Sequence, residues 1–252
     1  MDRNIRAFKD AKITLTSDGK TWTTDVYSEA GCDLVNTLAL KQAAEFKTMY
    51  QYTWQGIQVI QFPNDLLALQ QLVWSTKPNK IIEIGIAHGG QLIFLASLLQ
   101  SIGAESSKVI GVDVEIRNHN RENIENHHLS ELITLVEGSS IISSTVETVK
   151  DLISPDDKVL VILDSNHTFE HVEKEIALYN EMVSVGSYLV VMDAALGYVG
   201  DIPRGNTSWF DDNPIAAIDN FLDNSENFVS DAIFDNCGLT SSPKGALKKI
   251  AG

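Results

Sequence analysis

The chain has little cysteine and little positive charge. Its two cysteines, Cys32 and Cys237, are far apart and form no Cys-x-x-Cys pair, so neither a disulfide framework nor a structural zinc site is expected. Only 19 Lys and Arg stand against 34 Asp and Glu, a formal net charge of −15. Such a surface repels polyanions, which excludes nucleic acid and anionic membranes as expected partners. The acid excess serves solubility and is also compatible with a divalent cation. No apolar run approaches the roughly 20 residues of a membrane helix. The stretch Met1-Asp2-Arg3-Asn4-Ile5-Arg6 lacks the apolar core of a secretory leader. A cytoplasmic protein is the expectation. Internal repeats and low-complexity segments are also missing.

What is present is a chain of 252 residues, 44% hydrophobic, enough for one large α/β domain with extra elements. Its most informative stretch is Lys80-Ile-Ile-Glu-Ile-Gly-Ile-Ala-His-Gly-Gly90. An apolar run ends in an acid and a glycine, a Gly-rich turn follows, and a helical pattern begins. Strand, tight loop and helix N-terminus form a common cradle for a nucleotide-like cofactor. Val109-Ile-Gly-Val-Asp113 follows at a βαβ distance, so a second strand ends in an acid able to accept from two ribose hydroxyls. Together they point to an adenosine-containing cofactor, S-adenosylmethionine first. The loop spacing Gly85-x-x-x-Gly89-Gly90 is not the Gly-x-Gly-x-x-Gly of a dinucleotide fold.

Strands are predicted at 80–85, 108–113, 132–136, 158–163 and 187–193, with helices at 90–102, 118–128, 141–153 and 168–184. Val159–Leu163 and Tyr188–Met192 are continuous apolar runs, as in strands buried on both faces. The alternation predicts a doubly wound, mostly parallel, Rossmann-like sheet. Asn227–Phe234 and Gly245–Ile250 read as a closing antiparallel hairpin. Residues 1–76 are expected to form an accessory segment packed on a core domain at 77–252. Within it, a hairpin turns at Ser17-Asp-Gly19, a helix covers Leu34–Met49, an aromatic extended stretch covers Tyr50–Phe62, and a helix runs from Leu66 to about Ser75.

Ligands in open α/β sheets sit beyond the carboxyl ends of the strands. The polar groups at those ends are Glu83 with Gly85, Asp113, Gly138-Ser139-Ser140, Asp164 and Asp193. Glu83, Gly85, His88, Gly89 and Gly90 are the candidate cofactor loop. A carboxylate inside an apolar run, such as Glu83, is costly unless paired, and a cofactor amino group would pair it. Asp113 is the candidate ribose ligand; its competing role is a helix N-cap. Ser139 and Ser140 either contact the adenine or cap the next helix. Asp164 and Asp193 end adjacent strands and offer two oxygen ligands suited to Mg²⁺; their competing role is to bond loop amides. His167, three residues past Asp164, is the candidate general base, or else a packing residue. His171 reads as structural, and His119, His127 and His128 as exposed. Tyr52-Thr-Trp54 and Trp209-Phe210 either wall a substrate pocket or pack locally. Asp211-Asp-Asn-Pro214 reads as a helix start.

The set Trp54-Gln-Gly56, Pro63-Asn-Asp65, Ile82–Gly90, Val109–Asp113, Leu163-Asp-Ser-Asn-His-Thr168, Trp209–Pro214 and Leu239–Leu247 resembles the cephalosporin hydroxylase and rhamnosyl O-methyltransferase family. The similarity spans Leu34 to the C-terminus. It implies a class I methyltransferase core, with S-adenosylmethionine over Glu83–Gly90 and Asp113. It also implies Mg²⁺ at Asp164 and Asp193. Met192 stands where the family has the Glu of a Glu-Asp pair, and Ala194 departs from the Asp-Asn of related catechol-type enzymes. Three outcomes stay open: weak metal binding, a substitute ligand such as Asn166 or Asp201, or a metal-free enzyme. The implied activity is methyl transfer to a hydroxyl of a small molecule, a sugar or glycosylated natural product by the resemblance. A homo-oligomer is compatible with it. A nicotinamide-dependent oxidoreductase and a non-catalytic cofactor-binding partner are the competing functions.

Overall fold

The computed structural model describes residues 10–103 and 106–252. The first nine residues of the expected accessory segment lie outside them. Its hairpin pairs β1 (Lys12–Ser17) with β2 (Lys20–Asp25) in antiparallel register, Ser17 opposite Lys20. The two-residue turn Asp18-Gly19 has both φ angles positive, the geometry that matches strand twist. Helix α1 spans Glu29–Phe46. It starts five residues before the expected Leu34 because the Ser28 hydroxyl caps it, accepting from the Gly31 amide at 3.1 Å.

The stretch expected to be extended is a second small hairpin, β3 (Tyr52–Trp54) with β4 (Ile57–Val59). Helix α2 (Pro63–Thr76) begins at Pro63 rather than Leu66. A proline at the first helical position gives up no hydrogen bond there, so it opens the helix instead of preceding it.

The core is a seven-stranded sheet. Its strands are β5 (Lys80–Ile84), β6 (Lys108–Asp113), β7 (Ile133–Glu137), β8 (Val159–Leu163), β9 (Tyr188–Val191), β10 (Phe228–Asp231) and β11 (Ala246–Lys249). The order is β10-β11-β9-β8-β5-β6-β7. Neighbours are parallel from β9 to β7, while β11 is antiparallel to both β9 and β10. Helices α3 (Gly90–Ile102), α4 (Asn118–Glu125), α5 (Ser143–Asp151) and α6 (Phe169–Tyr179) make the crossovers, and α7 (Pro214–Asn224) precedes β10. All five residues of β5 and of β8 are buried. Two apolar layers enclose the sheet, one around α2 and α3, the other around α5, α6 and α7.

Several boundaries fall short of the sequence reading, among them both ends of α5, read as 141–153, and the end of β10, read as reaching Phe234. Helix α4 stops at Glu125 rather than 128, and α6 gives way after Tyr179 to a short 3-10 turn. Strand β9 ends at Val191, two residues early. Asp193 there adopts a left-handed backbone, φ 51°, which an Asp tolerates better than most residues. The chain reverses at that point and leaves the sheet beside the site.

Candidate active site

The parallel strands deliver their C-terminal residues to one edge, where β5 is central. Gly85, just after it, has φ 95°, and a Cβ there would be driven into the Asp164 carbonyl. Gly90 opens α3 beneath the β3–β4 hairpin, and a Cβ there would strike the Gln58 carbonyl. These two glycines let the β5 loop, the β8 end and the hairpin close on one another.

Between them lies a small cavity lined by Gln61, Glu83, His88, Gly90, Gln91 and Asp164, among others. Its walls hold buried polar atoms with no partner: Gln61 Oε1, Glu83 Oε2 and both amide atoms of Gln91. Glu83 is 1% exposed. Burial, then the nearby Asp164 charge, pushes its pKa well above the usual carboxylate range. Unpaired donors and acceptors buried together are rare and costly. A ligand carrying both an amino and a carboxylate group satisfies them, which is the chemistry of an amino-acid moiety.

A larger cavity of about 390 Å³ opens on the other side of Gly85. Asp113, Gly138, Ser139, Ser140, Asn166 and His171 are among its lining residues. Asp113 is not a helix cap; Arg117 occupies that place before α4. Its Oδ2 accepts from the Ile86 amide at 2.8 Å, and its Oδ1 from the Glu115 amide at 3.2 Å. It therefore ties the β5 loop to the end of β6 while facing the cavity. Ser139 lies half-buried on the wall. Ser140 is drawn inward, donating to Glu175 Oε1 at 2.5 Å.

Glu175 escaped the sequence reading. It is fully buried and gathers Ser140, Ser165 at 2.6 Å and His171 Nε2 at 3.1 Å on one oxygen. The signal was there: His171 and Glu175 are one turn apart on the face of α6 that carries Val172, Ile176 and Tyr179. His171 is held in place by this cluster, as the structural reading expected, and it also borders the cavity.

Asp164, His167 and Asp193 converge, with one donor atom from each within 4.8 Å of the others. His167 Nε2 lies 3.7 Å from Asp164 Oδ1 and 3.6 Å from Asp193 Oδ2, too far for a hydrogen bond, and it has no other partner. Burial opposes a charged imidazole here, but the Asp193 and Asp164 carboxylates outweigh it and raise the His167 pKa to about 9. Burial raises that of Asp164 to about 6, with Asp193 adding to it and His167 opposing. Gln61, also missed from sequence, donates to Asp164 Oδ2 at 2.9 Å. The two carboxylates suit a Mg²⁺ that keeps several waters, and the unpaired imidazole nitrogen faces the same gap.

Met192 supplies nothing to this cluster. It is fully buried in the core beneath Ser242. Neither suggested substitute ligand joins in. Asn166 caps the next turn, accepting from the Thr168 amide at 3.0 Å, and Asp201 is paired with Lys41. Asp193 is steadied from behind, its amide donating to Ser242 Oγ at 3.2 Å. That serine belongs to a loop fixed by buried Asp65, whose carboxylate accepts from Thr240 Oγ1, the Ser241 amide and Ser241 Oγ.

Of the two aromatic patches, the second walls a pocket through Trp209. It lines an apolar cavity of about 220 Å³ beside His167 and Asp193. Trp54 packs edge-on against Phe94 and donates to Ser97, the local-packing alternative. Asn213 caps α7, its side chain accepting from the Ala216 amide, and Pro214 is the first helical residue. No helix among the described residues is long and apolar enough to cross a membrane.

The family described as Rhamnosyl O-methyltransferase/CmcI matches residues 46–250. Rhamnosyl O-methyltransferases of Mycobacterium tuberculosis and Mycobacterium bovis are 29% identical over 198 residues, 77% of this chain and 77% of theirs. That of Mycobacterium leprae is 28% identical over 153 residues, 60% of this chain and 64% of its own. The fold is similar to that of CmcI with Mg and SAM, at a TM-score of 0.54 and 20% identity, covering 80% of this chain and 78% of that one. It also resembles an O-methyltransferase from Bacillus cereus in complex with SAH, at a TM-score of 0.51 and 14% identity, covering 78% and 82%. The match to the family model spans most of the chain. This chain belongs to the rhamnosyl O-methyltransferase/CmcI family of S-adenosylmethionine-dependent methyltransferases.

Proposed function

We propose that this member of the family binds S-adenosylmethionine across the two cavities flanking Gly85 and methylates a hydroxyl of a small molecule. The names of the relatives bring a sugar or glycosylated natural product as the acceptor class. The observation that carries the cofactor assignment is the group of unpaired buried atoms on Gln61, Glu83 and Gln91. It adjoins a cavity of about 390 Å³ with Asp113 on its wall, so the nucleoside would take the larger space and the amino and carboxylate groups would reach the unpaired atoms.

When bound, the cofactor supplies an electrophilic methyl group on a sulfonium. Glu83 and Gln91 pair its amino and carboxylate groups. Asp113 accepts from the ribose hydroxyls while keeping the β5 loop in place. Ser139 and His171 border the far end, where the base would lie, and Ser140 acts behind them through Glu175. His167 would take the proton of the acceptor hydroxyl at Nε2; transfer of the methyl group would break its bond to the sulfonium and leave S-adenosylhomocysteine. The chief contribution of the chain is to hold these groups in register. Asp164 and Asp193 would hold a Mg²⁺, which would lower the pKa of an acceptor hydroxyl and counter the two carboxylates that raise the pKa of His167.

Calorimetric titration with S-adenosylmethionine and S-adenosylhomocysteine, with and without Mg²⁺, tests this reading. Micromolar binding of both is the expected result, lost in Asp113→Ala. Folded protein that binds neither ligand under any condition overturns it.

A further inference from the structure

The cavity beside His167 and Asp193 limits what the acceptor can be. Its walls come from α1 through Leu40 and Ala44, from Phe62, and from the segment after β9 through Val199, Ile202 and Trp209. The polar side chains on it are His167 and Asp193 at one end, Ser241, Arg204 and the phenol of Tyr50, against nine apolar ones. Arg204 is anchored, one guanidinium N–H donating to the Ala44 carbonyl at 3.1 Å and its backbone amide to Glu45 Oε2 at 3.1 Å. These bonds tie the post-β9 segment to α1 and close the apolar walls on each other.

A free hexose carries a hydroxyl on nearly every carbon, and each needs a partner once buried. Hydroxyls turned toward the apolar stretch of wall formed by Leu40, Ala44, Phe62, Val199 and Ile202 would find no partner there. The space is about 220 Å³, against ~150 Å³ for an apolar protein cavity that takes up benzene. It therefore suits one substituted ring. Leu40 and Ala44 of this wall precede the segment matched by the family, residues 46–250.

We infer that the acceptor hydroxyl sits on an apolar ring, a phenol or hydroxylated aglycone, and that any sugar it carries stays outside this cavity. The inference rests on the methyltransferase reading above. The ring stacks on Trp209, and its hydroxyl points at His167 and Asp193.

The test uses full-length protein loaded with S-adenosylhomocysteine, titrated with catechol, 4-ethylphenol, phenyl rhamnoside and free rhamnose while tryptophan fluorescence is followed. S-Adenosylmethionine with Mg²⁺ and mass-spectrometric detection of methylated product form the second arm. Saturable quenching by the ring compounds and not by rhamnose is the expected outcome. Ala44→Phe fills the cavity from the α1 side; it should weaken that binding at least tenfold with S-adenosylhomocysteine affinity unchanged. Ring compounds that give no saturable change, or rhamnose that binds or is methylated as well as they are, overturn the acceptor assignment. Failure to bind S-adenosylhomocysteine at all refutes the cofactor reading instead, so the two failures are distinct.

Discussion

Replacing Glu83 with Gln should stabilise the free protein and weaken its hold on the cofactor. Glu83 lies in β5, the middle one of the five parallel strands, 1% exposed, with one carboxylate oxygen unpaired and with Asp164 and Asp113 both acting against its charge. Gln keeps the shape and removes the charge. An unsatisfied buried polar group costs about 1–3 kcal/mol, and more when charged. Taking about 2 kcal/mol, and about 2–4 °C per kcal/mol for a chain of this size, Glu83→Gln should melt about 4–8 °C higher at pH 8. The pH dependence follows from the direction of the shift. The folded protein binds the Glu83 proton more tightly than the unfolded chain, whose value is near 4.5. Stability is thus lost as pH rises from that value through the raised one. The gain in Glu83→Gln should vanish below about pH 4.5 and reach its maximum above the raised pKa. The same substitution removes a charge-assisted hydrogen bond to the cofactor amino group, worth about 1.5–3 kcal/mol. That is about a 10- to 150-fold loss of S-adenosylmethionine affinity. Thermal melts across pH and calorimetric titration read the two effects. An unchanged or lower melting temperature at pH 8, together with wild-type affinity, would refute the reasoning.

Four further outcomes are expected. His167→Ala should leave S-adenosylhomocysteine binding within twofold and slow methyl transfer at least about 100-fold, the usual range for a general base; normal turnover would remove His167 from that role. Asp65→Ala leaves Thr240 and Ser241 donors buried without an acceptor, at about 1–3 kcal/mol each. Denaturant titration should show a loss of at least about 2 kcal/mol. Gly90→Ala drives a methyl group into the Gln58 carbonyl and should displace the β3–β4 hairpin, costing cofactor affinity in calorimetry more than it costs overall stability. Arg121→Ala breaks only exposed pairs with Glu125 and Glu137, and should change stability by less than about 1 kcal/mol in the same denaturant assay.

The sheet was legible because its strands are buried on both faces, and an apolar run such as Val159–Leu163 leaves little choice of structure. Helix α3 matches its expected limits because glycines stand at both ends, Gly89 and Gly103. Boundaries slipped where one side chain redirects the backbone: the Ser28 cap, Pro63 as first helical residue, and left-handed Asp193. Asp164, Asp193 and His167 could be collected from sequence because strand ends share one edge of a parallel sheet. Gln61 could not, since it reaches Asp164 across 103 positions from outside the parallel strands whose ends share that edge. The apolar cavity was likewise hidden, because α1 and the segment after β9 meet only in the folded chain.

The sequence by itself determined the order of strands and helices, the family, and which acids end which strands, since periodicity and local chemistry are written along the chain. Tertiary structure alone decided what those groups face. It placed His167 between two carboxylates, turned Met192 into the core, drew Ser140 back to Glu175, and left Glu83 beside unpaired amides. Burial and charge proximity set those relations, and both depend on neighbours distant along the chain.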